Sequence, residues 1–336
     1  MIRTNVPITG LNSLAQARRA PGRASSPNVV GEFLIGIDFR PANGLLFAVA
    51  SDGINERVVG INIVTGVITP INAAAPTAPP DVFFGLDFNP VPDRIRVVGD
   101  AESNRRFNPS TGAITIDTPL AYAAGDPGAG SNPNVVHVAY SNNFAGATTT
   151  TLFGIDTNRN TLVRIGGANG PPSPDGGLLT TIGPLGVDPE HFGGFDIQQG
   201  TGTAYASLFV NNIPTLYTIN LTTGAATSLG AIGDGTGEID GLSVRIGAGP
   251  TAAGVEVSGR VSTPDGRGLR NARVVITDSE GVTRTVTTNS FGYYTITDVE
   301  AGESYIIGVN SNRYRFASRV IEVSDSLSDV DFVGQE

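Results

Sequence analysis

The chain has 336 residues, with 31 acids against 21 bases for a formal charge of −10, 44 Gly, 22 Pro, two His, no Cys and no Trp. Every base is Arg, so Schiff-base and P-loop lysines are excluded together with disulfides, thiolate metal sites and cysteine nucleophiles. The acidic balance argues against a nucleic-acid partner, a hydrophobic content of 40% requires a folded core, and no apolar run reaches the 18 or so residues of a membrane span.

Residues 1–30 form a basic arm, with Arg3, Arg18, Arg19 and Arg23 and no acid on an otherwise acidic protein. No apolar run of signal-peptide length follows Met1. Residues 5–11, Asn5-Val6-Pro7-Ile8-Thr9-Gly10-Leu11, read as a short strand. The arm is expected to dock on its own body or on a neighbouring chain, with Val6, Ile8, Leu11, Arg18, Arg19 and Arg23 as the assembly residues.

Residues 31–246 carry a repeat. Gly36-Ile37-Asp38-Phe39 returns as Gly85-Leu86-Asp87-Phe88 and as Gly194-Phe195-Asp196-Ile197. The first step is 49 residues (36 to 85); the second is 109 (85 to 194), room for two units with a degenerate copy between them. A turn element follows each copy: Ile61–Gly66, Asn108–Gly112 and Ile219–Gly224, with Asp156–Asn160 as a fourth member. Asn or Asp caps such a turn through its side chain, and Gly takes the positive φ. Strands are expected after the turns at 67–71, 113–116, 161–165 and 225–229. About four short strands per unit of about 50 residues is the pattern of a propeller blade, and a lone blade cannot bury both its faces. The recurring Gly fits close backbone approach near a crowded axis. Glu238–Val244 reads as one more first strand, so the last blade is expected to combine both chain ends, short of strands unless another chain fills it.

On Val6–Leu11, Leu34–Pro41 and Ile61–Gly66, residues 5–246 resemble the bacterial DUF4394 family. The resemblance implies a propeller-like domain of secreted proteins and implies no activity.

Residues 247–254, Gly-Ala-Gly-Pro-Thr-Ala-Ala-Gly, read as a linker. In 255–336, strands are expected at Val257–Val261, Ala272–Thr277, Thr283–Thr288, Gly292–Ile296, Ser304–Val309 and Val320–Val323, within a seven-stranded β-sandwich. Val257–Val261, Gly268–Val274, Thr288–Tyr294 and Ala301–Tyr305 resemble the carboxypeptidase regulatory-like (transthyretin-like) family. That resemblance implies a stalk, spacer or contact module without catalytic residues. The expected class is therefore all-β: a β-propeller-like repeat domain of four to five blades, then the sandwich.

Residues able to carry chemistry are sparse. His137 lies in the apolar strand Val135–Ala139 and reads as packed. His191 follows Asp188-Pro189-Glu190, but neighbours on an extended chain point to opposite faces, so Glu190 and His191 do not converge. Asp156, Asn158 and Asn160 have the alternating oxygens of a calcium loop without its distal Glu, and Asp234 with Asp240 form a second oxygen-rich loop; Ca2+ is the candidate cofactor at either. Asp38, Asp87 and Asp196 either face a central channel as an acidic ring or cap backbone N–H groups at strand ends, the second being favoured. The Arg-dense runs Asp93–Arg96 and Asn104–Phe107 read as solvated loop charge, with the acidic surface of another subunit as the alternative.

These readings favour a non-enzymatic extracellular or cell-surface protein, structural or adhesive, that self-assembles as a filament or matrix subunit by strand or arm exchange. A glycan- or small-ligand-binding propeller is the alternative, and a propeller lyase or glycosidase the third reading. The expected partners are further copies of the chain, or a glycan.

Overall fold

The computed structural model describes residues 2–4, 14–18, 31–63, 66–246, 255–278, 283–300, 303–323 and 325–335. The chain divides into two compact units, Met1–Gly249 and Pro250–Glu336. Among the described residues the only helical element is a 3₁₀ turn at Pro174–Gly176.

The first unit opens with Ile2–Thr4 (β1) and Leu14–Arg18 (β2). Blade one is Phe33–Phe39 (β3), Leu46–Ser51 (β4), Glu56–Ile61 (β5) and Ile68–Pro70 (β6). Blade two is Phe84–Asn89 (β7), Arg94–Gly99 (β8), Asn104–Phe107 (β9) and Ile114–Ile116 (β10). Ala121–Tyr122 (β11) joins blade three, made of Val135–Tyr140 (β12), Leu152–Asp156 (β13), Thr161–Ile165 (β14) and Leu178–Pro184 (β15). Blade four is Gly193–Ile197 (β16), Ala204–Val210 (β17), Ile213–Ile219 (β18) and Ala226–Ala231 (β19). Ile239–Val244 (β20) is the first strand of blade five, and it pairs with β2, which pairs with β1.

The inner strands β3, β7, β12, β16 and β20 each pack on the next, and β20 packs on β3, so the ring is closed with five blades. Among the described residues, blades one, two and four have four strands, blade three has five, and blade five has three. The repeat's degenerate copy is β12. Residues 5–11, read as a strand from sequence, lie outside the described residues, as do Arg19 and Arg23; Arg18 ends β2.

Strands near the axis are buried on both faces, and their sequences are correspondingly apolar throughout, as in Leu46–Ser51. The core lies between blades. Ile35, Phe47, Val49 and Val58 meet Leu86, Phe88, Ile95 and Val97; Ala139, Ile155 and Leu162 meet Phe195, Ile197 and Ala206. Axial glycines permit the approach. A Cβ at Gly36 would stand 2.5 Å from that of Leu86, and one at Gly194 only 2.1 Å from the Leu242 nitrogen.

Arg96 and Arg105 of the Arg-dense runs correct both sequence readings at their positions, since both are buried within the ring. Arg105 pairs with the buried Glu56 of blade one. Arg96, 1% exposed, donates to Asp117 at 2.9 Å, Asp175 at 2.5 Å and the Tyr140 hydroxyl at 2.9 Å. Charge density along the sequence did not reveal that strand alternation turns these two guanidinia into blade interfaces.

The turn Asp156–Asn160 is a second correction. It joins β13 to β14, the second and third strands of its blade, whereas the turns at 62–66, 108–112 and 220–224 join third to fourth. Asx capping serves any tight hairpin, so the residues alone do not say which one they close.

The second unit is a sandwich of seven strands: Val255–Ser262 (β21), Arg273–Thr277 (β22), Thr283–Thr287 (β23), Tyr293–Val299 (β24), Glu303–Asn310 (β25), Arg319–Val323 (β26) and Phe332–Val333 (β27). One sheet runs β24-β21-β27 and the other β23-β22-β25-β26. Alternation along β21 sends Val255, Val257 and Val261 inward against Val274, Ile276, Ile296, Ile307 and Val309.

Candidate functional site

The inner strand of a propeller has no neighbour on its axial side, so its N–H groups there need acceptors. The repeated Asp supplies them. Asp38 Oδ2 accepts from Phe88 N–H of the next blade at 2.7 Å, Asp87 Oδ1 from Tyr140 N–H at 3.0 Å, and Asp196 Oδ2 from Val244 N–H at 2.5 Å. Ser243, at the equivalent place in blade five, completes the circuit by accepting from Phe39 N–H at 3.2 Å. Ala139 holds that place in blade three and has no acceptor; Ile197 N–H there bonds its own Asp196 Oδ1 at 2.6 Å.

The same three aspartates converge. One carboxylate oxygen from each lies within 4.8 Å of the other two, and all three side chains are buried. The Ser243 hydroxyl lies between two of them, 2.7 Å from Asp38 Oδ1 and 3.2 Å from Asp196 Oδ2. The two sequence readings, acidic ring and backbone cap, thus hold together. Burial raises the Asp38 pKa to about 7 against the hydrogen bonds from Ser243, Phe88 and Phe39. Burial, then the charges of Asp38 and Asp196, push Asp87 well above the carboxylate range; burial, then Asp38, does the same for Asp196.

Two residues before the acidic layer the inner strands present Gly36, Gly85, His137, Gly194 and Gly241, so His137 stands where the repeat has Gly. These residues, with Asp240, line an axial cavity of about 10 Å³, the lower limit for one water. His137 is buried, both ring nitrogens lack protein partners, and burial followed by the nearby His191 lowers its pKa to about 3. His191 Nδ1 is 2.8 Å from Asn134 Nδ2 and 2.9 Å from Thr157 Oγ1, and its ring packs on Phe83. Asp188 instead accepts from Asn160 at 2.8 Å.

The calcium-loop residues singled out from sequence serve turns. Asp156 Oδ1 accepts from the N–H groups of Asn134, Asn158 and Arg159, and its Oδ2 from the Tyr122 hydroxyl at 2.5 Å. Asp234 Oδ1 accepts from Thr236 N–H and hydroxyl, while Asp240 lies on β20 beside the axial cavity. Neither loop joins the aspartates that converge. Sequence reasoning numbered those three aspartates but omitted Ser243, whose signal was its alignment with Asp in Gly241-Leu242-Ser243-Val244.

Fold and site define a closed five-bladed, propeller-like domain with an acidic axis, followed by a β-sandwich. The chain belongs to the family described as "Domain of unknown function (DUF4394)", matched over residues 18–243, and residues 256–333 match the carboxypeptidase regulatory-like domain. No curated protein matches the chain. Among solved structures, the nidogen/laminin complex is similar at 9% identity over 69% of this chain and 94% of that one, with a TM-score of 0.37. A protein of unknown function from Bacteroides thetaiotaomicron is 14% identical over 87% and 70%, with a TM-score of 0.39. Hydrazine synthase of Kuenenia stuttgartiensis is 12% identical over 90% and 68%, with a TM-score of 0.36. Among the described residues no helix is long and apolar enough to cross a membrane.

Proposed function

We propose that this is a non-enzymatic, extracellular structural or adhesive protein whose subunits associate by exchanging their N-terminal strands. The observation that carries the reading is blade five. Its inner strand comes from the end of the ring and its outer strands from the arm, and among the described residues it has one strand fewer than blades one, two and four. The arm is held by main-chain pairing of β2 on β20, from Leu14↔Val244 to Arg18↔Ile239, and the same pairing forms equally well between chains. The axial cavity of about 10 Å³ favours this reading over a sugar or substrate at the axis. The sandwich suits a spacer or contact module, and placement outside the cell is carried over from the resemblance to secreted proteins.

The chain has no native Cys, so a Leu14→Cys/Val244→Cys double variant reports directly on whose arm lies on whose ring. Oxidised full-length protein should yield covalent multimers on a denaturing gel, and fibres or rings by electron microscopy. Deleting residues 1–30 should abolish them. Intrachain links alone, with monomers by light scattering at every concentration, would sink arm exchange. Surface labelling of intact cells tests the location.

A further inference from the structure

We propose that the ring axis binds one hard divalent cation of the calcium type, held by Asp38, Asp87 and Asp196 with the Ser243 hydroxyl beside them. One oxygen from each lies within 4.8 Å of the other two, close enough for one hard cation to draw all three in, and calcium, with flexible geometry and oxygen bonds of about 2.3–2.6 Å, needs less contraction than magnesium at about 2.0–2.1 Å. An all-oxygen, carboxylate-rich set selects against zinc and copper.

A second observation points to a ligand. Asp87 Oδ2, in a side chain 1% exposed, has no hydrogen-bond partner, although every other carboxylate oxygen of the cluster has one. A buried acceptor left this way is costly unless something fills it. The oxygens with a single N–H donor, Asp38 Oδ2 and Asp196 Oδ1 among them, retain a lone pair for a metal. Among the described residues no Arg forms an ion pair with any of the three.

Such an ion joins blades one, two and four and reaches blade five through Ser243, so it clamps the ring where its first and last inner strands, β3 and β20, meet. It is buried away from any substrate, and its role is structural. The inference does not depend on arm exchange, since its ligands lie between residues 38 and 243.

The test is calorimetric titration and thermal melting of the chelator-treated full-length chain with CaCl2, with NaCl at equal ionic strength and MgCl2 as comparisons. The expected result is one calcium per chain, bound more tightly than magnesium. Melting should rise by roughly 5–10 °C at about a hundredfold excess over Kd. Asp87→Asn should weaken binding at least tenfold, while Asp234→Asn leaves it unchanged. Absence of calcium binding, an equal shift in sodium, or Asp87→Asn binding calcium as well as the wild type would overturn the assignment. If Asp87→Asn does not fold, the wild-type calcium and sodium melts decide alone. Stability that rises on acidification and ignores calcium assigns the cluster to shared protons and rejects the cation.

Discussion

The ring and the sandwich are both all-β, but they bury polar groups differently. The sandwich core is a continuous apolar cluster from Val255 to Phe332, and its Tyr294 hydroxyl bonds the Val330 carbonyl at 2.6 Å. The ring buries four aspartates, two glutamates, a histidine and two arginines. Closure is the reason. Strand edges of a sandwich face solvent, whereas the inner strands of a closed ring turn one edge to an axis with room for about one water. Every N–H there needs an acceptor from the chain. The blade interfaces then hold guanidinium–carboxylate pairs, which lose much if broken and contribute little beyond an apolar replacement of the same shape.

The largest effect that sharpens this contrast should come from Arg105→Ala, which leaves the fully buried Glu56 without its arginine. A loss of about 3–5 kcal/mol is expected by denaturant titration, confined to the ring's transition. Arg105→Met paired with Glu56→Leu should recover most of it, and failure to do so would count against desolvation as the cause. In the sandwich, Ile307→Ala should cost about 2–5 kcal/mol through lost burial and the cavity left behind, with no dependence on pH.

A third experiment separates the units by pH. Asp38, Asp87 and Asp196 have folded-state pKa values raised above the ordinary 3.8. Their contribution is fully present below that value and lost as pH rises through about 7 for Asp38 and through the raised pKa values of the other two. In chelator, the ring should therefore melt several degrees lower at pH 8 than at pH 5 while the sandwich holds steady. Parallel drift of both transitions would break the comparison. His137, lowered to about 3, should show no imidazole titration by NMR between pH 5 and 8. The smallest effect is Asn220→Ala at a ring turn, where Oδ1 accepts from Thr222 and Thr223 N–H; about 1 kcal/mol is expected.

The repeat was legible because each blade needs the same Gly and Asp at the same depth, so spacing exposed the units and their inner strands. The sandwich was legible through alternation, although β27 escaped with only two residues. Blade three hid because His137 and Ala139 replace the Gly and Asp that mark the others. Its Asp156 turn then resembled the turn of another hairpin.

Period, turn chemistry and apolar runs, which act over a few neighbouring residues, determined from sequence alone that this is a chain of β units followed by a β-sandwich. Ring closure decided what remained: that there are five blades, that Arg96 and Arg105 turn inward, and that aspartates 49 and 109 residues apart share one point. Those outcomes depend on which strand edges face the axis. That is a property of the assembled ring, and no local stretch of residues contains it.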